Sequence, residues 1–141
     1  IANQLGVSKK TIYHSFSDKN ELVDAVVVDK IQFNKECCQN YKIHSKNAIH
    51  EIFLAMEMLQ VMFENMNPVI LFDMERHHPA TYRKFKEYKY KYLHELVKEN
   101  IERGKKEELY RSDVNVEVVA RVRLETMLMP FDVDIFPKNK Y

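Results

Sequence analysis

The sequence predicts an all-α protein, and three observations carry the prediction. Apolar residues recur three and four apart over long stretches, the period of helices buried along one face. Two Gly and four Pro in 141 residues are too few for the turns of a sheet protein. Residues with capping chemistry stand where several periodic stretches begin, and Gly or Pro where several end. The hydrophobic share of 45%, with eight Phe, eight Tyr and seven Met, supports a real core but is too broken by charge for a membrane span.

Taken in order, Ile1 to Leu5 reads as the end of a helix. Gly6 supplies the positive φ that a sharp helix stop needs. Ser8 then fits an N-cap, and Ile12 and Phe16, four apart, form the buried side of a short second helix. The opposite face carries Lys9, Lys10, Thr11, Tyr13 and His14, side chains that reach phosphates by charge or hydroxyl and base edges by hydrogen bond or apolar contact. Asp18 and Glu21 have the spacing of a capping box, so a helix should start near Lys19 with its amide-rich end where a phosphate would sit. Taken singly, Lys9, Lys10 and Lys19 would serve as solvated lysines and Tyr13 as a packing residue; the joint pattern favours a DNA reader. The net charge of +1 creates no global basic field, but between Ile1 and Lys19 three lysines stand against the single carboxylate of Asp18.

From Lys19 to about Tyr41, Leu22, Val23, Val26, Val27, Ile31 and Phe33 keep helical spacing and predict a long connecting helix. Ser45 is placed to cap the next one, in which Ile49, Ile52, Phe53, Met56, Leu59, Met62, Phe63 and Met66 form a broad stripe expected to be buried. Asn67-Pro68 fits an N-cap with Pro at the first position of a short helix through Met74. His77-His78-Pro79 marks a break. Tyr82, Phe85, Tyr88, Tyr92, Leu96 and Ile101 then lead towards Gly104 as the expected stop. The basic run Arg83, Lys84, Lys86, Lys89 and Lys91 on this helix reads as its wet face. A last helix is expected from about Val116 to Met129, and the tail from Phe131 receives no assignment.

The pattern Ile-Ala-x-x-Leu-Gly-Val-Ser-Lys-x-Thr-Ile-Tyr-x-x-Phe-x-x-Lys-x-Glu-Leu, from Ile1 to Leu22, resembles the DNA-binding signature of the TetR family of bacterial transcriptional regulators. The resemblance implies that Ser8, Lys9, Lys10, Thr11, Tyr13 and His14 lie on the helix that enters the major groove, and that Lys19 grips the phosphate backbone. Two positions depart from the common pattern: Lys10 stands where many members have Gly, and Ser15 where many have an aromatic or His. Both departures bear on which operator is read. The resemblance further implies a homodimer on a pseudo-palindromic double-stranded operator, a small-molecule effector, and a connecting helix that transmits movement between body and reader. The family usually builds its dimer from its last two helices, of which Val116 to Met129 is the one clear candidate here. It also places a first helix and most of a second before the recognition helix, so the chain, opening in mid-motif, is expected to lack part of that domain.

Little points to other chemistry. Cys37 and Cys38 are adjacent, which is neither metal-ligand spacing nor a redox pair. His77 and His78 diverge from one another and lack a second ligand pair, so no metal is expected. A Gly-rich phosphate loop, a nucleophile elbow and a His pair at helical spacing are all missing, so neither enzyme nor cofactor is expected. Glu57 and Glu64, seven apart, read as a solvated face rather than a counter-charge for a cation. Met and aromatic residues from Phe53 to Tyr92 would suit either a closed core or a cavity for an apolar or amphipathic molecule. With the resemblance, Phe53, Met56, Met62, Phe63, Met66, Phe72, Tyr88 and Tyr92 become its candidate lining. The expectation is therefore a cytoplasmic, non-membrane DNA-binding regulator. Residues 1–40 would form the truncated helix-turn-helix domain with its connecting helix, and 41–141 the ligand-binding and dimerisation domain. A repressor released by its effector is the first reading; a helical small-molecule module with lost or secondary DNA binding is the other.

Overall fold

A computed structural model describes residues 5–65, 67, 69–129, 132 and 135, with the side chains at 63 and 65 excepted. Its elements are helical throughout: α1 (Lys9–Ser15), α2 (Lys19–His44), α3 (Ala48–Asn65), α4 (Ile70–His77), α5 (Pro79–Glu87), α6 (His94–Lys106) and α7 (Val116–Leu128). A π-helical segment, Tyr88–Leu93, joins α5 to α6 without a break in right-handed backbone, so Pro79 to Lys106 is one continuous rod. No strand occurs among the described residues, in agreement with the all-α expectation. The rod is the spine of the fold: α2 and α4 pack on its α5 end, and α3 and α7 on its α6 end.

Local chemistry sets most of the helix starts. The Ser8 hydroxyl accepts from the Thr11 N–H at 3.0 Å, and Asp18 accepts from the Glu21 N–H at 2.9 Å. Glu21 departs from the reciprocal pattern expected of it. Its carboxylate accepts from both the N–H and the hydroxyl of Ser17, at 2.6 Å each, one residue earlier than the cap itself. Asn115, unremarked in the sequence, caps α7 by accepting from the Val118 N–H at 3.1 Å. Asn67 accepts from the Val69 N–H at 3.2 Å, while Pro68, its expected partner in the cap, lies outside the described residues.

Two expected boundaries are corrected. Ser45 ends α2 rather than starting α3; its hydroxyl donates to the Lys42 carbonyl, and Asn47 accepts from the His50 N–H to begin the next helix. The division drawn at residue 40 therefore falls inside α2. Gly104 does not stop the spine. The helix continues to Lys106 and closes in a Schellman motif, with the Leu109 N–H on the Gly104 carbonyl at 2.9 Å and the Glu108 N–H on the Lys105 carbonyl at 3.1 Å. Glu108 takes the left-handed conformation there, at φ 58°. Gly104 is buried for a different reason: a Cβ on it would stand 2.0 Å from the Tyr110 ring, so only glycine lets the following loop fold back.

The core is built where α3, α6 and α7 meet, around Ala48, Ile101, Ala120 and Leu124, with Cys38, Met74 and Tyr88 buried further along the spine. Asn100 and Arg103 are paired within it, whereas Nε2 of buried His94 has no hydrogen-bond partner among the described residues. Asn100 donates to the Ala48 carbonyl at 2.9 Å and accepts from Tyr110 and Arg123. Arg103 fixes the α2–α3 corner to α6 by donating to Ser45, Glu51 and Glu107. Glu107 also accepts from the Ala48 N–H, and this bond, with Arg103, holds its carboxyl below the ordinary range.

The stripe on α3 is the main disagreement with the sequence. Phe53 and Met56 are 59% and 58% exposed, and Ile49 is exposed as well, while Ile52, Leu59 and Met62 are half-buried. Helical spacing identifies an apolar face, but whether anything covers it depends on the neighbours, and α3 meets α2 and α6 along its other faces.

Candidate nucleic-acid interface

Gly6, at φ 65°, turns the chain into the extended Ser8, whose cap bond opens α1. The Ser8 and Thr11 hydroxyls also meet each other at 2.8 Å, so both are fixed on the first turn. Lys9, Lys10, Thr11, Tyr13 and His14 are all exposed, Tyr13 by 51%. Ile12 and Phe16 are half-buried rather than fully covered. The Phe16 N–H closes α1 on the Ile12 carbonyl at 3.2 Å, and the chain runs extended through Asp18 into α2.

Lys19 occupies the first position of α2 and is exposed. Its helix end presents unpaired N–H groups and the positive pole of the dipole. Asp18 and Glu21 are close by, but both are tied into the turn: Asp18 is the cap, and the Ser17 hydroxyl and N–H draw the Glu21 carboxyl below its ordinary range. Among the described residues, Lys9, Lys10 and Lys19 have no carboxylate partner. The structure thus brings the seven expected contact residues onto two consecutive helix starts, with three uncompensated ammonium groups.

This unit is wired to the body through α5. Asp24, less than two turns beyond Lys19, accepts from Lys84 at 2.7 Å and from the Thr81 hydroxyl at 3.1 Å. The Lys84 ammonium holds the Asp24 carboxyl below its ordinary range. Nδ1 of His78, at the α4–α5 joint, lies 2.7 Å from Oδ1 of Asn20, the residue after Lys19.

Of the eight residues expected to line a ligand cavity, the six whose side chains are described are not gathered in one place. Phe53 and Met56 face outward on α3, with Met62 half-buried on the same helix; Met66 and the side chain of Phe63 lie outside the described residues. Tyr88 and Tyr92 stack on one another at 5.7 Å and turn towards α2, where the Tyr92 hydroxyl donates to the Lys35 carbonyl at 3.3 Å. Burial pushes the Tyr88 phenol well above its ordinary range. Phe72 lines a crevice of about 380 Å³ between α4, α5 with the π segment, and α7. Its other walls include Leu71, Tyr82, Phe85, Tyr90 and Leu128, and its charged groups include Lys89 and Glu125. Periodicity could not find this site, because the π segment changes which residues of the spine face inward.

Residues 1–26 match the model of a family described as bacterial regulatory proteins, tetR family. The matched stretch takes in the Gly6 turn, all of α1 and the first two turns of α2, and so covers the seven clustered residues. Over this stretch the chain is similar to the N-terminal region of the tetR family of bacterial regulatory proteins. No curated protein and no solved structure matches the chain. No helix among the described residues is long and apolar enough to cross a membrane.

Proposed function

We propose that the chain is a cytoplasmic repressor that binds a pseudo-palindromic operator as a homodimer and is released by a small apolar or amphipathic effector. The observation that carries the proposal is the exposed α1 face with Lys19 beside it, lacking carboxylate partners and lying within the family-matched stretch. Lys9, Lys10 and Lys19 would neutralise phosphates, the Ser8 and Thr11 hydroxyls would fix the backbone register, and Tyr13 and His14 would meet base edges.

Residues 1–40 serve as reader and connector and 41–141 as the regulatory body, their division lying within α2 just ahead of the bend at Ser45 to Asn47. Dimerisation through α7 is supported by Val118, Val122 and Met129, which are exposed and share one side of the helix. The effector site is assigned to the crevice that Phe72 lines. Both α4 and α5 form its wall, and their joint at His78 touches Asn20 beside the clamp, giving a short mechanical path from crevice to reader. An effector can act along this path only by binding the DNA-free conformation more tightly than the DNA-bound one.

The proposal is tested by footprinting on the duplex that the protein selects from a random pool, followed by a reporter driven from that site. Two protected half-sites about one helical turn apart, and transcription that rises when the protein is removed, are the expected results. A single unpaired site would contradict the dimer, and a fall in transcription would contradict repression.

A further inference from the structure

One lysine in the basic run of the spine differs from its neighbours. Lys84 pairs with Asp24, Lys86 lies over the Tyr82 ring and Lys91 pairs with Glu87, all three remaining exposed. Lys89 is only 7% exposed, contrary to the wet face the sequence predicts. The π segment accounts for this by turning Tyr88 and Lys89, adjacent in sequence, both inward. The Lys89 ammonium donates to Glu125 Oε2 at 2.6 Å and to the Tyr90 hydroxyl at 3.3 Å, and it lines the crevice.

A buried ammonium needs a counter-charge, and here the two partners are unequally held. The Lys89 side chain is 9% exposed, whereas that of Glu125 is 55% exposed. Glu125 can therefore leave for water at little desolvation cost, while Lys89 cannot follow it. The crevice volume of about 380 Å³ is in the range of small-molecule sites, roughly 300–1,000 Å³.

We propose that this crevice takes amphipathic organic acids. The ligand carboxylate replaces Glu125 on the Lys89 ammonium, and the apolar tail lies along Leu71, Phe72, Phe85 and Leu128. The assignment rests on the reading of the crevice as the effector site. The exchange conserves charge, since one carboxylate leaves the ammonium as another arrives. An amine has no such exchange: to pair with Glu125 it must strip Lys89 of its counter-charge. A neutral molecule fills the apolar walls but brings the ammonium no counter-charge. The remaining charges named at the crevice, Glu75, Lys86 and Asp132, are exposed, where water and salt weaken them.

The test is calorimetric titration of the protein with decanoate, 1-decanol and decylamine, each below its aggregation threshold. Decanoate is expected to bind at least tenfold more tightly than the other two. Lys89→Met should lower decanoate affinity at least tenfold and leave decanol within twofold, while Glu125→Gln, which frees the ammonium, should raise decanoate affinity. Glu125→Gln decides the matter even if Lys89→Met fails to fold. Absence of decanoate binding, equal binding of the three probes, or indifference of decanoate to Glu125→Gln would overturn the assignment. Operator release is read separately. Decanoate that binds through Lys89 without changing operator affinity leaves the acid site standing and removes the effector-release reading. Release by decylamine alone preserves effector release and removes the acid site.

Discussion

At the scale of single residues, the contact assignments and the packing assignments have separate signatures. Tyr13 is half-exposed on the outer face of α1, so Tyr13→Ala should weaken operator binding while moving the urea midpoint little. Gly104 is the reverse case. A methyl group there meets the Tyr110 ring, and Gly104→Ala should destabilise the protein by about 1–3 kcal/mol, the usual cost of overpacking. Urea unfolding of Gly104→Ala with and without Tyr110→Leu checks the cause, because the second change should recover most of the loss. Cys38 offers a chemical readout: burial raises its thiol to about 11, so it should resist a thiol reagent at pH 8 until the protein is unfolded.

At the scale of elements, much of the fold was legible where its causes are local. Ser8 and Asp18 cap because their oxygens reach amides three residues on, and Pro79 starts a helix because it needs no N–H partner there. Asp18→Ala should therefore cost about 1 kcal/mol in a urea melt. The end of the spine lies beyond Gly104 for a physical reason: Gly104 has the chemistry of a stop, yet it is kept for the approach of Tyr110, and the left-handed position falls to Glu108. Glu108→Gly should relieve that backbone and raise stability by about 0.5–1 kcal/mol, less if the added freedom of the unfolded chain offsets it. The π segment was not legible at all. It depends on how Tyr88 and Tyr92 seat against α2, a contact between residues far apart in sequence, and the burial of Lys89 follows from it. The outward face of α3 shows the same limit, since periodicity marks a face without naming its cover.

At the scale of the whole molecule, the contacts of α2 with α5 join the N-terminal helices to the rest of the fold, and acid should loosen them. Lys84 depresses the Asp24 carboxyl below its ordinary value of 3.8. A depressed carboxyl contributes stability that is complete above the ordinary value and is lost as pH falls through the lower, folded-state value. Acid unfolding should therefore be shallower in Asp24→Asn, whose stability also falls at neutral pH because Lys84 loses its partner; superimposable acid limbs for the two proteins would remove this contact from the coupling path. The seven residues proposed as DNA contacts were legible as one exposed cluster because they lie on one continuous stretch of chain. The crevice was not, because it is assembled from α4, the spine and α7, which only the tertiary fold brings together.

The central claim, that α1 and the start of α2 read DNA, is tested most directly by fluorescence anisotropy. The protein and its Lys19→Ala variant are titrated at two salt concentrations against the duplex selected from a random pool and against a scrambled duplex. The account predicts a strong preference for the selected duplex, weakened by salt, and a Lys19→Ala variant that binds both duplexes less well with a salt slope shallower by about one. Equal, weak binding of the protein to both duplexes, or affinity and salt slope untouched by Lys19→Ala, would contradict it.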